Sequence, residues 1–150
     1  MPIQKDRKSI ITGKDCTEME FGFLNSMQNW HQDLDDFQCW QGEIDLAIAA
    51  DKLGFNSLWC VEHHFESYGM CPDNIQYLSY LASLTKSAKL VPGGVILPWK
   101  DPLRVVEKMA VLEYLAPGRT GLGMGRGLAR REYVGFRQGM NESRERFDET

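Results

Sequence analysis

The sequence predicts a parallel α/β fold, and three observations carry that expectation. Short apolar runs alternate with amphipathic helical stretches about four times. The intervals between the apolar runs are roughly 25 to 40 residues, the spacing of βαβ units. The chemically unusual residues all follow the apolar runs, so right-handed crossovers would gather them at the carboxyl edge of one sheet, with the helices outside. The 150 residues are 43% hydrophobic and 25% charged, a globular composition that excludes a disordered or fibrous chain. Two architectures satisfy the pattern: a small doubly wound open sheet, or part of a (β/α)8 barrel, which needs eight strands and typically about 250 residues.

Taken in order, residues 1 to 18 are polar and aperiodic and read as a loose lead-in. Met19 to Asn25 is short, apolar and aromatic, like a strand, and runs into a long segment, SMQNWHQDLDDFQCW, without a clear period. A helix follows on Ile44, Ala47 and Ile48 and stops at Leu53-Gly54, where glycine suits a left-handed C-terminal residue. Asn56 to Phe65, NSLWCVEHHF, reads as a buried strand that turns polar at its carboxyl end. Asp73-Asn74 opens a second helix with Ile75, Leu78, Leu81 and Ala82 on one face. Lys89 to Trp99 looks like a strand interrupted by Pro92 and two glycines, the mark of a bulge or an unusual peptide. Asp101-Pro102 is an N-cap with proline at the first helical position; Val105, Met109 and Leu112 form the buried stripe, and Pro117-Gly118 ends it. RTGLGMGRG supplies a glycine-dense strand, and Arg131 to Thr150 a charged loop and helix that closes without a stop signal, so the chain is expected to end inside an element.

The charge balance, 17 basic against 21 acidic residues, gives a net −4 and no basic stripe of the kind that releases counterions from nucleic acid. No run approaches the roughly 20 apolar residues that cross a bilayer, and no apolar stretch follows the basic N-terminus as in a secretory signal. Neither nucleic acid nor membrane is an expected partner, and a cytoplasmic location is. Four cysteines, at 16, 39, 60 and 71, fit neither a zinc pattern nor a disulfide framework and read as reduced thiols.

Glu62-His63-His64 first suggests a metal. Adjacent strand side chains point to opposite faces, however, so both imidazoles cannot easily reach one ion, and no metal site is expected. One histidine facing the pocket, exchanging a proton near neutral pH, is the favoured reading; a packed structural histidine is the other. GLGMGRG has glycines at 121, 123, 125 and 127, which breaks the G-x-G-x-x-G register, and no G-K-[ST] follows, so neither nucleotide fingerprint applies. The string offers a strand of little bulk that a flat ligand can approach, with Arg126 able to fork onto phosphate; a crowded packing contact needing small residues is the alternative. Gly93-Gly94 permits the same close approach to a planar ring, with a turn or bulge without function as an equal alternative. Arg144 alone is one charge of a solvated helix face. The aromatics from Trp30 to Trp40 either line an apolar pocket or pack their own loop.

Together these segments resemble the bacterial-luciferase-like flavin monooxygenases. The resemblance runs through E-H-H-F (Glu62 to Phe65), G-G-V-I-L-P (Gly93 to Pro98), D-P-L-R-V-V-E-K-M-A-V-L-E-Y-L-A-P-G-R (Asp101 to Arg119), G-M-G-R-G (Gly123 to Gly127) and S-R-E-R-F (Ser143 to Phe147), from about Met19 to the end. It implies a (β/α)8 TIM barrel of which about the first four βα units are present. Reduced FMN, or a deazaflavin in some relatives, would bind at the carboxyl edge. It places His63 at the active site beside the flavin, Gly93-Gly94 at a non-prolyl cis peptide or bulge supporting the isoalloxazine ring, and Arg126 and Arg144 at the flavin phosphate. The implied activity is oxidation of a small organic substrate by dioxygen through a flavin C4a-peroxide, with reduced flavin delivered by a separate reductase to a homo- or heterodimer. Gly125 stands where light-emitting members carry a reactive cysteine, which implies an ordinary monooxygenase, and Phe136-Arg137 replaces the commoner Phe-Gly. The alternatives are a deazaflavin-dependent hydride transferase on the same barrel, or a non-catalytic flavin-binding subunit or fragment.

Overall fold

The computed structural model describes residues 19–149; the expected lead-in lies outside them. The elements run β1 (Gly22–Asn25), α1 (Asp36–Leu53), β2 (Ser57–Cys60), α2 (Asn74–Leu84), β3 (Lys89–Pro92), β4 (Val95–Ile96), α3 (Pro102–Leu115), β5 (Met124–Gly125), α4 (Arg130–Gly135) and α5 (Ser143–Glu149), with 3-10 turns at Leu97–Trp99 and Met140–Glu142. β1, β2 and β3 form a parallel sheet in the register Phe23, Leu58, Leu90, and β4 pairs in parallel with β5.

The two sheets are continuous along one strand position. Leu90 donates its N–H to the Arg119 carbonyl (2.6 Å), Gly121 to Leu90 (3.1 Å), Gly123 to Pro92 (3.0 Å) and Val95 to Gly123 (2.8 Å). Residues 119–125 therefore track β3 and then β4, although only Met124–Gly125 is regular strand. The break between β3 and β4 falls at Gly93–Gly94, whose peptide is cis. The interrupted strand expected at PGG is thus two short strands joined by that bond.

Burial explains the layers. Leu58, Cys60, Leu78, Leu81, Leu90 and Leu112 are wholly buried where the helices cover the sheet. On the opposite face Trp59 is 36% exposed and Leu24 54%, so that face is open. The turn between α2 and β3 is clamped from two sides. Asp51 accepts the N–H groups of Lys86, Ser87 and Ala88 at 2.7–2.9 Å, and the Arg119 guanidinium donates to the carbonyls of Ala82, Thr85 and Ala88.

Three expectations need correction. α1 begins at Asp36, well before Ile44, because Asp35 and Gln38 form a reciprocal capping box. Phe37 and Trp40 therefore sit on a helix and not in a loop. β1 starts only at Gly22, and β2 ends at Cys60, so Glu62-His63-His64 lies beyond the strand, where strand alternation does not apply. The ends of α2 and α3 agree with their caps: Asp73 accepts from Gln76 N–H, Asp101 from Leu103 and Arg104 N–H, and Gly54 closes α1 at φ 88°.

Candidate active site

Parallel pairing puts the carboxyl ends of the strands on one edge, and the segments that leave that edge carry the candidate residues. His63 leaves β2. Its Nδ1 lies 3.0 Å from Oε1 of Glu132, on α4, and its side chain is 15% exposed. The ring meets Tyr68 edge-on at 4.8 Å, and Tyr68 meets Trp30 at 5.1 Å. His64 turns inward. Its Nε2 lies 3.1 Å from Oε1 of Glu62, and its ring packs edge-on against Phe136 at 4.6 Å. The two imidazoles thus serve different carboxylates.

Glu62 is a buried hub. Besides His64 it accepts from Trp99 Nε1 (3.1 Å) and pairs with Lys100 Nζ (3.2 Å), so the ammonium compensates a carboxylate whose side chain is fully buried. Trp99 then stacks on Phe136 at 5.1 Å and meets Tyr133 edge-on at 5.0 Å, which ties the exit of β4 to α4. A recess of 440 Å³ beside this cluster is lined by His63, His64, Trp40, Ser67 and Met70. A groove of 660 Å³ lies elsewhere, between α2 and α3, among Ile75, Ser79, Lys108 and Val111.

Gly93 and Gly94 are half-buried, and their surroundings leave no room for side chains. A Cβ on Gly93 would stand 3.0 Å from the Trp59 ring, one on Gly94 2.9 Å from the Gly123 carbonyl oxygen, and one on Gly123 2.4 Å from that of Pro92. The glycines therefore satisfy close strand packing, the alternative weighed for GLGMGRG, and the half-exposed backbone of Gly93 and Gly94 forms a ledge. Asn74 fixes that ledge: its buried Nδ2 donates to the carbonyls of Cys60 and Gly94, each at 3.1 Å.

Arg126 is exposed at the end of the glycine segment and makes no ion pair among the described residues, while its carbonyl accepts the Tyr133 hydroxyl. Arg144, on α5, is 75% exposed and pairs with Asp148 at 2.9 Å. The structure therefore places His63, the glycine ledge and Arg126 after the ends of neighbouring strands, whereas the Arg144 side chain is engaged within its own helix. The bare ledge and the unpaired guanidinium suit a flat ring carrying a phosphate.

Sequence reasoning missed Glu132, Asn74 and Tyr68 as site residues. Asn74 was visible as a helix start, but nothing marked its bond to Gly94. Glu132 looked like one charge of a surface helix and is 1% exposed.

Residues 19–150 match the family described as luciferase-like monooxygenase. The chain belongs to that family. An alkanal monooxygenase alpha chain from a Kryptophanaron alfredi symbiont is 30% identical over 128 residues, covering 85% of this chain and 35% of that protein. The monooxygenase RslO1 from Streptomyces bottropensis superposes with a TM-score of 0.83 at 35% identity, over 87% of this chain and 40% of that one. Two neighbours at lower identity share the fold. The oxygenating constituent of 3,6-diketocamphane monooxygenase from Pseudomonas putida, in complex with FMN, has a TM-score of 0.75 at 24% identity, over 85% of this chain and 37% of that one. An F420-dependent secondary alcohol dehydrogenase has 0.68 at 18%, over 89% and 40%. The chain spans well under half the length of these relatives. Their fold is of the TIM-barrel type, which selects the barrel over the doubly wound sheet.

Proposed function

We propose that the full-length protein is a flavin-dependent monooxygenase that uses reduced FMN and dioxygen to oxidise a small apolar or carbonyl-bearing organic substrate. The observation that carries this is that the half-exposed Gly93–Gly94 backbone, the Arg126 guanidinium, without an ion pair among the described residues, and the partly exposed ring of His63 all follow the carboxyl ends of parallel strands. The cofactor, when bound, supplies the electrons for oxygen chemistry, which no protein side chain here supplies.

The chain's own residues bind and orient. Gly93 and Gly94 present backbone to the isoalloxazine ring, and Asn74 holds that backbone still. Arg126 forks onto the phosphate, and Arg144 adds a second cation by exchanging its exposed Asp148 pair, which costs little because such pairs are weak. His63 exchanges a proton with the reacting group, a role suited to an imidazole near neutral pH. The aromatic wall of Trp99, Phe136 and Tyr133 excludes water from that side. Association as a homo- or heterodimer and a separate flavin reductase belong to the same proposal; exposed apolar side chains on α3, with Val106 65% and Tyr114 85% exposed, support the association.

Anaerobic titration of the full-length protein with reduced FMN and with a reduced deazaflavin, followed by admission of dioxygen and candidate substrate, tests the reading. Reduced FMN is expected to bind and to support oxygen uptake matched by oxygenated product. Substrate reduction by the deazaflavin without oxygen uptake would assign a hydride transferase instead, and binding without either reaction a non-catalytic subunit.

A further inference from the structure

Glu132 lies 69 residues from His63 in sequence, and nothing in the motifs couples them. Its Oε1 receives two groups at once: the backbone N–H of His64 at 2.9 Å and the Nδ1 of His63 at 3.0 Å. A backbone N–H can only donate, so this oxygen accepts from His64, and with Glu132 a carboxylate, which has no proton to give, the His63 nitrogen that shares the oxygen supplies its own. The Nδ1–H tautomer follows for His63, with Nε2 left as the unprotonated nitrogen. His64 is held the opposite way. Oε1 of Glu62 already receives Trp99 Nε1–H and the Lys100 ammonium, so His64 donates from Nε2. Adjacent histidines are thereby fixed in opposite tautomers by two different buried carboxylates.

The remaining edges of the His63 ring are also set. Tyr68 meets it edge-on, and a Cβ on Gly69 would stand 2.9 Å from its Cδ2 and 3.0 Å from its Cβ. Only a residue without a side chain lets the loop close on the ring this tightly, so the imidazole is walled in by Glu132, Tyr68 and Gly69. We propose that Glu132 is a positioning residue that holds His63 in the Nδ1–H tautomer and presents Nε2 as its proton-exchanging atom. Its effect on turnover, though not the tautomer itself, rests on the monooxygenase reading above.

The test uses full-length protein carrying ring-15N histidine, with the His63 signals assigned through their loss in His63→Asn. At a pH where the imidazole is neutral, the wild-type spectrum is expected to show protonated Nδ1 and bare Nε2. Glu132→Gln keeps an acceptor oxygen and is expected to keep that tautomer. Glu132→Met removes the acceptor and is expected to release it, and to lower turnover about 10- to 100-fold, the usual range for losing such a supporting partner, with FMN affinity unchanged. A wild-type His63 protonated at Nε2 overturns the proposal, as does a methionine variant with unaltered tautomer and full turnover. If Glu132→Met does not fold, the wild-type and glutamine spectra decide. A fixed Nδ1–H tautomer in a protein that never turns over reduced FMN and dioxygen supports the positioning and removes the functional reading instead.

Discussion

Arg137 sits at φ 58°, in the left-handed region that favours glycine. A side chain there costs about 1 kcal/mol relative to a conformation it prefers, partly offset by glycine's larger unfolded-state entropy. Arg137→Gly is therefore expected to stabilise the protein by about 0.5 kcal/mol, seen as a raised midpoint in urea; a lowered midpoint would show that the exposed guanidinium contributes more than the backbone costs. Asn74 is the opposite case. It is 1% exposed and is the donor to the Gly94 carbonyl, so Asn74→Ala is expected to cost about 1–3 kcal/mol, the range for stranding a buried acceptor, and to weaken flavin binding. These single residues also mark how far the sequence could be read. PGG announced an unusual peptide because proline and glycine limit what a strand can do there. Glu132 announced nothing, since its role depends on a partner 69 residues away.

At the scale of elements, the turn between α2 and β3 depends on one carboxylate. Burial pushes the Asp51 carboxyl up, but hydrogen bonds from the N–H groups of Ala88, Lys86 and Ser87, with the Arg119 charge, outweigh it and hold Asp51 below the usual carboxylate range. A group depressed in the folded state adds stability that is complete above its unfolded pKa and lost as pH falls through the folded one. Asp51→Asn is accordingly expected to be less stable than wild type at neutral pH, with the gap narrowing as pH drops below about 3.9. Urea midpoints at the two ends of that range check it; a gap independent of pH would mean that geometry, not charge, makes the clamp. Elements with a strong local stop or start were legible: Asp101-Pro102 and Leu53-Gly54 set α3 and the end of α1 through capping chemistry alone. The start of α1 was not, because Phe37, Cys39 and Trp40 hide the period, and only the Asp35–Gln38 pair betrays it. The carboxyl end of β2 misled for a related reason. Apolar Val61 extends the strand pattern, while the ladder stops at Cys60.

For the whole molecule, the open face of the sheet sets the expected behaviour. Leu24 and Trp59 lie uncovered, and β1 is an edge of its sheet. The 150-residue chain is expected to self-associate, because an unpaired edge and apolar surface recruit further chains; a monomeric elution volume would argue that these surfaces are protected. The family assignment stands on the match over residues 19–150, and the barrel on relatives of which the chain spans 35–40%. The central claim is that the glycine ledge, Arg126 and His63 form one flavin-binding edge. Equilibrium titration of full-length wild type, Arg126→Ala and His63→Ala with reduced FMN tests it most directly. The account predicts about 10- to 100-fold weaker binding for the arginine variant, the worth of a charge-assisted phosphate contact. It predicts near-wild-type affinity with depressed turnover for the histidine variant. Unchanged affinity on removing Arg126 would contradict it.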